Sequence, residues 1–418
     1  MPIVNTETIT TSESVTANRS YLIPFILVTS LFFLWGLANI MNSALIAHFQ
    51  PVFEISRAQA LLVETAFYLG YFTIAIPAGL FMEKYSYKKG ILFGLLLYAG
   101  GALLFIPAAK LMTFGFFLVA LYVIASGLAF LETAANPYVT ILGKRETAVQ
   151  RLNLSQSFNG AALVFGPWIA GHFIFSGNEG AMDTLAAKQQ AADAVILPYV
   201  MLAGIVLFAA LLFFITKMPE PSKTSTLRFD KSIFKERHLM FAVIAQLFYV
   251  GGQVGIWGIT INYVTELIPE TSKEVASKYY MLAGTLLFVS GRFLGTFFMT
   301  YIKDHKLLTI YAAITSSLCV VGIFAHGEIA VYALLATNFF MSIMFPTIFG
   351  LGVRNLGEST KLGSSLIIMS IVGGAILPPL MGVFADTIGI QQSLIIPALS
   401  FLVVLFYGAN GYKLNHAK

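Results

Sequence analysis

Glu132 lies inside a long apolar stretch, Ser126-Gly-Leu-Ala-Phe-Leu-Glu-Thr-Ala-Ala-Asn-Pro-Tyr138. An acidic residue at the centre of a membrane helix is disfavoured by roughly 2.5–3.5 kcal/mol. It persists where it lines a cavity, changes protonation or meets a polar ligand. A second acid, Glu64, sits in Leu61-Leu-Val-Glu-Thr-Ala-Phe-Tyr68. Burial favours the neutral form of a carboxyl group, so such a group can exchange protons near neutral pH. That is the physical requirement for proton coupling. The competing readings are a static hydrogen bond to a neighbouring helix for either acid and, for Glu64, snorkelling to the outer surface.

The other polar side chains in apolar surroundings are mostly amides and aromatics. Trp35, Asn39, Asn42 and Ser43 are three or four residues apart and share a helix face. Glu132 and Asn136 are four apart; Asn153, Gln156 and Asn159 follow at intervals of three. Gln246, Gln253, Trp257 and Asn262 lie on one later stretch and Asn338 on another. Amides both donate and accept, which suits a ring of sugar hydroxyls, and indoles stack on the apolar faces of a sugar. A charged substrate would call for several fixed opposite charges. The competing reading is that the amides tie helices together. Arg292, in Gly291-Arg-Phe-Leu-Gly295, is open to two readings: a bond to substrate or a tie between helices. His172, near Trp168, reads as structural, and Asp386 and Glu266 as water contacts at helix ends. There is no zinc-ligand spacing, phosphate loop or nucleophile elbow, and Gly251-Gly-Gln-Val-Gly255 falls inside an apolar helix. The chain therefore reads as a transporter and not an enzyme, with no metal and no cofactor. A membrane-embedded enzyme and a sugar receptor without transport are the rival classes.

These residues must be positioned by membrane helices. Only 11% of the chain is charged and 57% is hydrophobic, against about 25% charged in a soluble domain. Lipid must be the main solvent, and the lysines and arginines belong to loops rather than to a nucleic-acid surface. A spanning helix needs about 20 apolar residues, and backbone groups in lipid must be bonded within the segment. The apolar runs predict twelve helices near 21–48, 57–83, 89–109, 113–142, 152–176, 195–217, 239–266, 276–302, 306–325, 329–352, 362–387 and 391–412. The fold class is thus an all-α polytopic membrane protein of twelve transmembrane helices in two six-helix lobes. The polar segment 218–238 separates lobes at 21–217 and 239–412, with tails at 1–20 and 413–418. Pro167 and Gly171 recur as Pro378 and Gly382, and Gly79 before Glu83-Lys84 recurs as Gly295 before Lys303, as two repeats around a central cavity require. Lysines and arginines crowd the loops on the side of the N-terminus, leaving Arg57, Lys110, Lys188, Lys273 and Lys278 opposite. The asymmetry predicts both termini in the cytoplasm. Residues 1–18 carry no signal-peptide pattern, and the single cysteine, Cys319, reads as a packing residue.

Several stretches resemble one known group. They are Phe32-Phe-Leu-Trp-Gly-Leu-Ala-Asn39, Ala66-Phe-Tyr-Leu-Gly-Tyr-Phe72, Leu131-Glu-Thr-Ala-Ala-Asn-Pro-Tyr138, Arg151-Leu-Asn-Leu-Ser-Gln-Ser-Phe-Asn159 and Pro346-Thr-Ile-Phe-Gly-Leu-Gly352. They are similar to the fucose–galactose–glucose symporter branch of the major facilitator superfamily, over about residues 20–410. The resemblance implies alternating access, a neutral monosaccharide (L-fucose, or a hexose such as glucose or galactose), and coupling to a cation. It places the acid tied to proton transfer and sugar binding at Glu132. The family's second acid is replaced by Ser43, while Glu64 stands where fucose members have an amide. Glu64 is therefore the candidate substitute for the lost acid. Sodium coupling or uncoupled facilitation of sugar is the alternative. Ser342-Ile-Met-Phe-Pro346 is closer to the glucose/galactose members.

The expectation is a monomeric sugar symporter of the bacterial inner membrane, coupled to protons. Trp35, Asn39, Asn42, Ser43, Glu132, Asn136, Gln156, Asn159, Gln253, Trp257, Asn262 and Asn338 would bind substrate. Glu132 and Glu64 would couple it to protons. Gly79, Glu83, Lys88 and Arg292 would serve gating or structure. The loop Glu83-Lys84-Tyr-Ser-Tyr-Lys-Lys89 resembles the superfamily's cytoplasmic gating loop, or is ordinary positive-inside topology.

Overall fold

In a chain this apolar, each backbone group must find its partner inside its own segment, and helices do this. The computed structural model describes residues 22–55, 59, 62–170, 184–219, 231–272 and 275–414. His172 and the middle of the polar segment, 220–230, lie outside them. The first half comprises α1 (Leu22–Phe53), α2 (Leu62–Lys84), α3 (Tyr87–Lys110), α4 (Phe114–Ile141), α5 (Ala148–Ala170) and α6 (Leu185–Ile215). The second comprises α7 (Arg237–Leu267), α8 (Ala276–Phe298), α9 (Asp304–Phe324), α10 (Gly327–Gly352), α11 (Gly357–Ile388) and α12 (Gln392–Gly411). Among the described residues, eleven of these are long and apolar enough to span a membrane. The exception is α5, whose polar positions Asn153, Gln156 and Asn159 lower its hydropathy.

Three departures from the sequence expectation have local causes. First, α1 runs on through Pro51 to Phe53, because a proline denies only one backbone bond. Phe49 and Phe53 pack there on Phe114 and Phe117, and the chain turns at Glu54 with φ 52°. Second, a short helix, Leu185–Ala194, precedes the apolar part of α6, begun by the Thr184 hydroxyl accepting from the Ala187 N–H. Third, α10 is interrupted between Met341 and Met344. Pro346 has no N–H to offer the Ser342 carbonyl, which is left for another donor.

Within the first half, α1 packs on α5, and α4 on both α2 and α3; within the second, α7 packs on α11 and α12, and α9 on α10 and α12. The halves meet where α2 lies against α11 and α5 against α8 and α10. The meeting is close at the end rich in lysine and arginine. A Cβ at Gly79 would overlap the Ser365 hydroxyl, and one at Gly350 would meet Val149 at 2.9 Å. The Lys361 ammonium on α11 donates to the Met82 carbonyl at the end of α2, 2.8 Å. Asn153 donates to the Thr347 hydroxyl across the same seam. The seam depends on the missing side chain at residue 79. G79V is predicted to lower stability by roughly 1–3 kcal/mol through overpacking; thermal unfolding in detergent measures it, and an unchanged midpoint contradicts the close approach.

Candidate functional site

Glu132 stands on α4 with 5% of its surface exposed. Its carboxyl group meets one tyrosine: the Tyr71 hydroxyl on α2, itself 2% exposed, donates to Glu132 Oε1 at 2.6 Å. The other carboxyl oxygen accepts no hydrogen bond among the described residues. One turn on, Asn136 Nδ2 donates to the Glu132 carbonyl at 2.9 Å. Asn136 Oδ1 in turn accepts from Gln156 Nε2 on α5 at 3.1 Å. The structure thus brings Glu132, Asn136 and Gln156 into one chain of bonds. Tyr71 was not singled out from sequence, although the Ala66–Phe72 stretch contains it. The available signal is general: a buried tyrosine needs a partner for its hydroxyl.

Arg292, on α8, extends the chain across the seam. Its Nη1 donates to the Gln156 carbonyl and its Nε to the Ser342 carbonyl, each at 2.7 Å. The second acceptor is the group that Pro346 leaves unpaired. The guanidinium also lies 4.5 Å over the Phe288 ring. Of the two sequence readings, the tie between helices is the one the geometry displays.

The remaining candidates separate by surroundings. Asn159 donates to the Phe32 carbonyl and binds α5 to α1, where Gly36 permits close contact. Trp35 is 2% exposed and packed on Phe32. Asn42 is buried, with its Oδ1 lacking a partner. Asn39 is half-buried; Ser43 lies on α1, and its side chain is outside the described residues. On the second half, Trp257 is half-buried and its indole N–H donates to Asn338 Oδ1 at 2.7 Å. Asn338 Nδ2 is engaged by the Leu335 carbonyl. Asn338 therefore orients Trp257, a use the hydroxyl-binding expectation did not include. Gln253 is half-buried without a hydrogen-bond partner among the described residues, whereas Asn262 is exposed near the end of α7. Gln246 is buried with both amide atoms unpartnered.

Glu64 is half-buried on α2, one turn before Tyr68. The Tyr68 hydroxyl reaches Gly374 on α11 at a point where a Cβ would meet it at 2.8 Å. Glu83 is half-buried, with a buried Oε2 that finds no partner. Lys88 donates to the Phe214 and Thr216 carbonyls, capping α6 inside the first half. Lys361, which sequence reading passed over as a topology residue, sits 4.9 Å over Tyr87 and bridges the seam. A cleft of about 530 Å³ at Lys110, Gln189 and Asp193 lies away from this network. A second, of about 390 Å³, at Glu266, His326 and Gln392, does too.

Comparison with known proteins gives a consistent picture. A family model described as Major Facilitator Superfamily matches residues 25–370. The L-fucose-proton symporter of Escherichia coli (strain K12) is 44% identical over 410 residues, covering 93% of each chain. A glucose/galactose transporter of Brucella abortus is 38% identical, covering 92% of this chain and 93% of that one. A crystal structure of the transporter FucP in the outward conformation superposes with a TM-score of 0.85 at 41% identity, covering 94% of this chain and 99% of that one.

The Tyr71–Glu132 bond makes a spectroscopic prediction. Y71F keeps the ring and removes the donor, at a cost of roughly 0.5–1.5 kcal/mol. The infrared carboxyl band that E132Q abolishes should shift in Y71F; an unmoved band contradicts the bond.

Proposed function

This chain belongs to the major facilitator superfamily, and from that premise we propose that it carries a neutral monosaccharide into the cell together with a proton. The observation that carries the reading is Glu132: a buried carboxyl group that accepts from Tyr71, one turn before the amide pair Asn136–Gln156. A group in this setting can gain and lose a proton without leaving the helix. The identities to an L-fucose-proton symporter and to glucose/galactose transporters support a sugar as cargo.

Uncharged cargo also fits the polar inventory. The donors and acceptors around Glu132 are amides and hydroxyls, and Arg292, the one buried arginine among the described residues, is occupied by carbonyls. Gln253 and Asn42 retain unused amide capacity for hydroxyls, and Trp257, oriented by Asn338, offers an indole for the ring. Ser43, in place of a second acid, puts weight on Glu64 as an auxiliary proton carrier. Arg19, Lys84, Lys303 and Lys361 would face the cytoplasm with both termini. The seam between the halves is then closed on the inside, and the protein faces outward as a monomer in the inner membrane. The coupling ion is the only inorganic partner this reading requires.

The test is uptake of radiolabelled L-fucose, glucose, galactose and N-acetylglucosamine by proteoliposomes under imposed proton or sodium gradients. One of these sugars should accumulate with the proton gradient. Accumulation with sodium alone, or with neither gradient, overturns proton coupling; failure of every sugar overturns the substrate class. E132Q should lose gradient-driven accumulation by at least about tenfold, equivalent to about 1.4 kcal/mol. E64Q should abolish sugar-driven proton uptake while sugar exchange persists; unchanged coupling in E64Q removes Glu64 from the mechanism.

A further inference from the structure

Arg292 is 3% exposed, and among the described residues it has no carboxylate partner. Its charge is held by two carbonyls and one aromatic face. Bonds from a cation to neutral acceptors are strong and directional, yet keeping a cation dry without a counter-ion is costly. The combination is a contact that holds while the seam is shut and releases readily once water reaches it.

The acceptors give this contact its meaning. Ser342 belongs to the same half as Arg292, and Gln156 belongs to the other. Gln156 thereby has two engagements: its carbonyl receives Arg292, and its side-chain amide is bound to Asn136, which donates to the Glu132 backbone carbonyl. One turn on, at Gly160, α5 faces α8: a Cβ there would stand 3.5 Å from Val289 Cγ2 and 4.0 Å from Arg292 Nη1. A polar ligand that takes the Asn136–Gln156 amide pair apart therefore disturbs the residue that anchors the seam.

We propose that Arg292 is a latch holding the two halves together toward their lysine- and arginine-rich end, and that Gln156 is the joint through which a sugar bound at the Asn136–Gln156 amide pair releases it. The inference rests on the alternating-access reading above, and its test is separable from sugar transport. The chain has one cysteine, Cys319, which is buried. In a C319A background, S365C places a thiol on α11 facing Gly79. Its rate of alkylation by a maleimide reports opening of the seam.

R292Q should raise that rate about tenfold, equivalent to about 1.4 kcal/mol. R292K, which keeps the charge but lacks the planar fork, should fall between. The transported sugar should accelerate labelling in the Arg292 protein and have little effect in R292Q. A folded R292Q that labels at the parent rate overturns the latch. Should R292Q fail to fold, G160L separates α5 from α8 with the arginine intact and should also speed labelling; an unchanged rate there overturns the proposal. Sugar-independent labelling of the Arg292 protein, with uptake intact, removes Gln156 as the joint. A labelling response to R292Q without uptake of any sugar keeps the latch and removes the sugar reading.

Discussion

The hydrogen bond from Tyr71 to Glu132 is the contact on which the rest of the molecule depends. A carboxyl group in a dry helix must be either expelled or supplied with a donor. Here the donor comes from a different helix, so α2 and α4 cannot separate without uncovering the acid. The apolar mass of the first half keeps both groups from lipid. The Glu132 carbonyl then passes the constraint to Asn136, and Asn136 passes it to Gln156. The Glu132 carboxyl group thus ties α4 to α2, and Asn136 one turn on ties α4 to α5.

The second half answers with the opposite charge. Arg292 uses the carbonyl that Pro346 strands and a carbonyl from the facing half. Neither bond neutralises the arginine. The closed seam is therefore built from tight glycine contacts, from cationic donors on carbonyls and from neutral amide bonds such as Asn153 to Thr347, and water can replace the polar ones. Lys361 on Met82 follows the same rule at the edge. A seam of this composition suits a protein that must open and reclose, since among the described residues no ion pair spans it.

Much of the scaffold was legible from sequence because hydropathy is a local quantity. The continuous apolar runs located the spans, and the amides at intervals of three and four marked the polar faces of α4 and α5. Glu132 stood out for the same reason. Partner choice was not legible. Tyr71 and Glu132 are 61 residues apart, and Arg292 and Gln156 are 136 apart. No spacing rule reaches across such separations. Nothing in the sequence showed that Trp257 donates to the Asn338 oxygen, 81 residues away. Asn262 shares its neighbours' composition and lies exposed near the end of α7. The helix Leu185–Ala194 was missed because its polar face resembles a loop when only hydropathy is read.

The most direct measurement of the central claim is the steady-state ratio of internal to external sugar in proteoliposomes clamped at zero membrane potential, as the pH difference is varied. One proton moving with each sugar predicts a ratio that rises about tenfold per pH unit, since each unit is worth 1.36 kcal/mol. A ratio that stays at one whatever the pH difference contradicts the account.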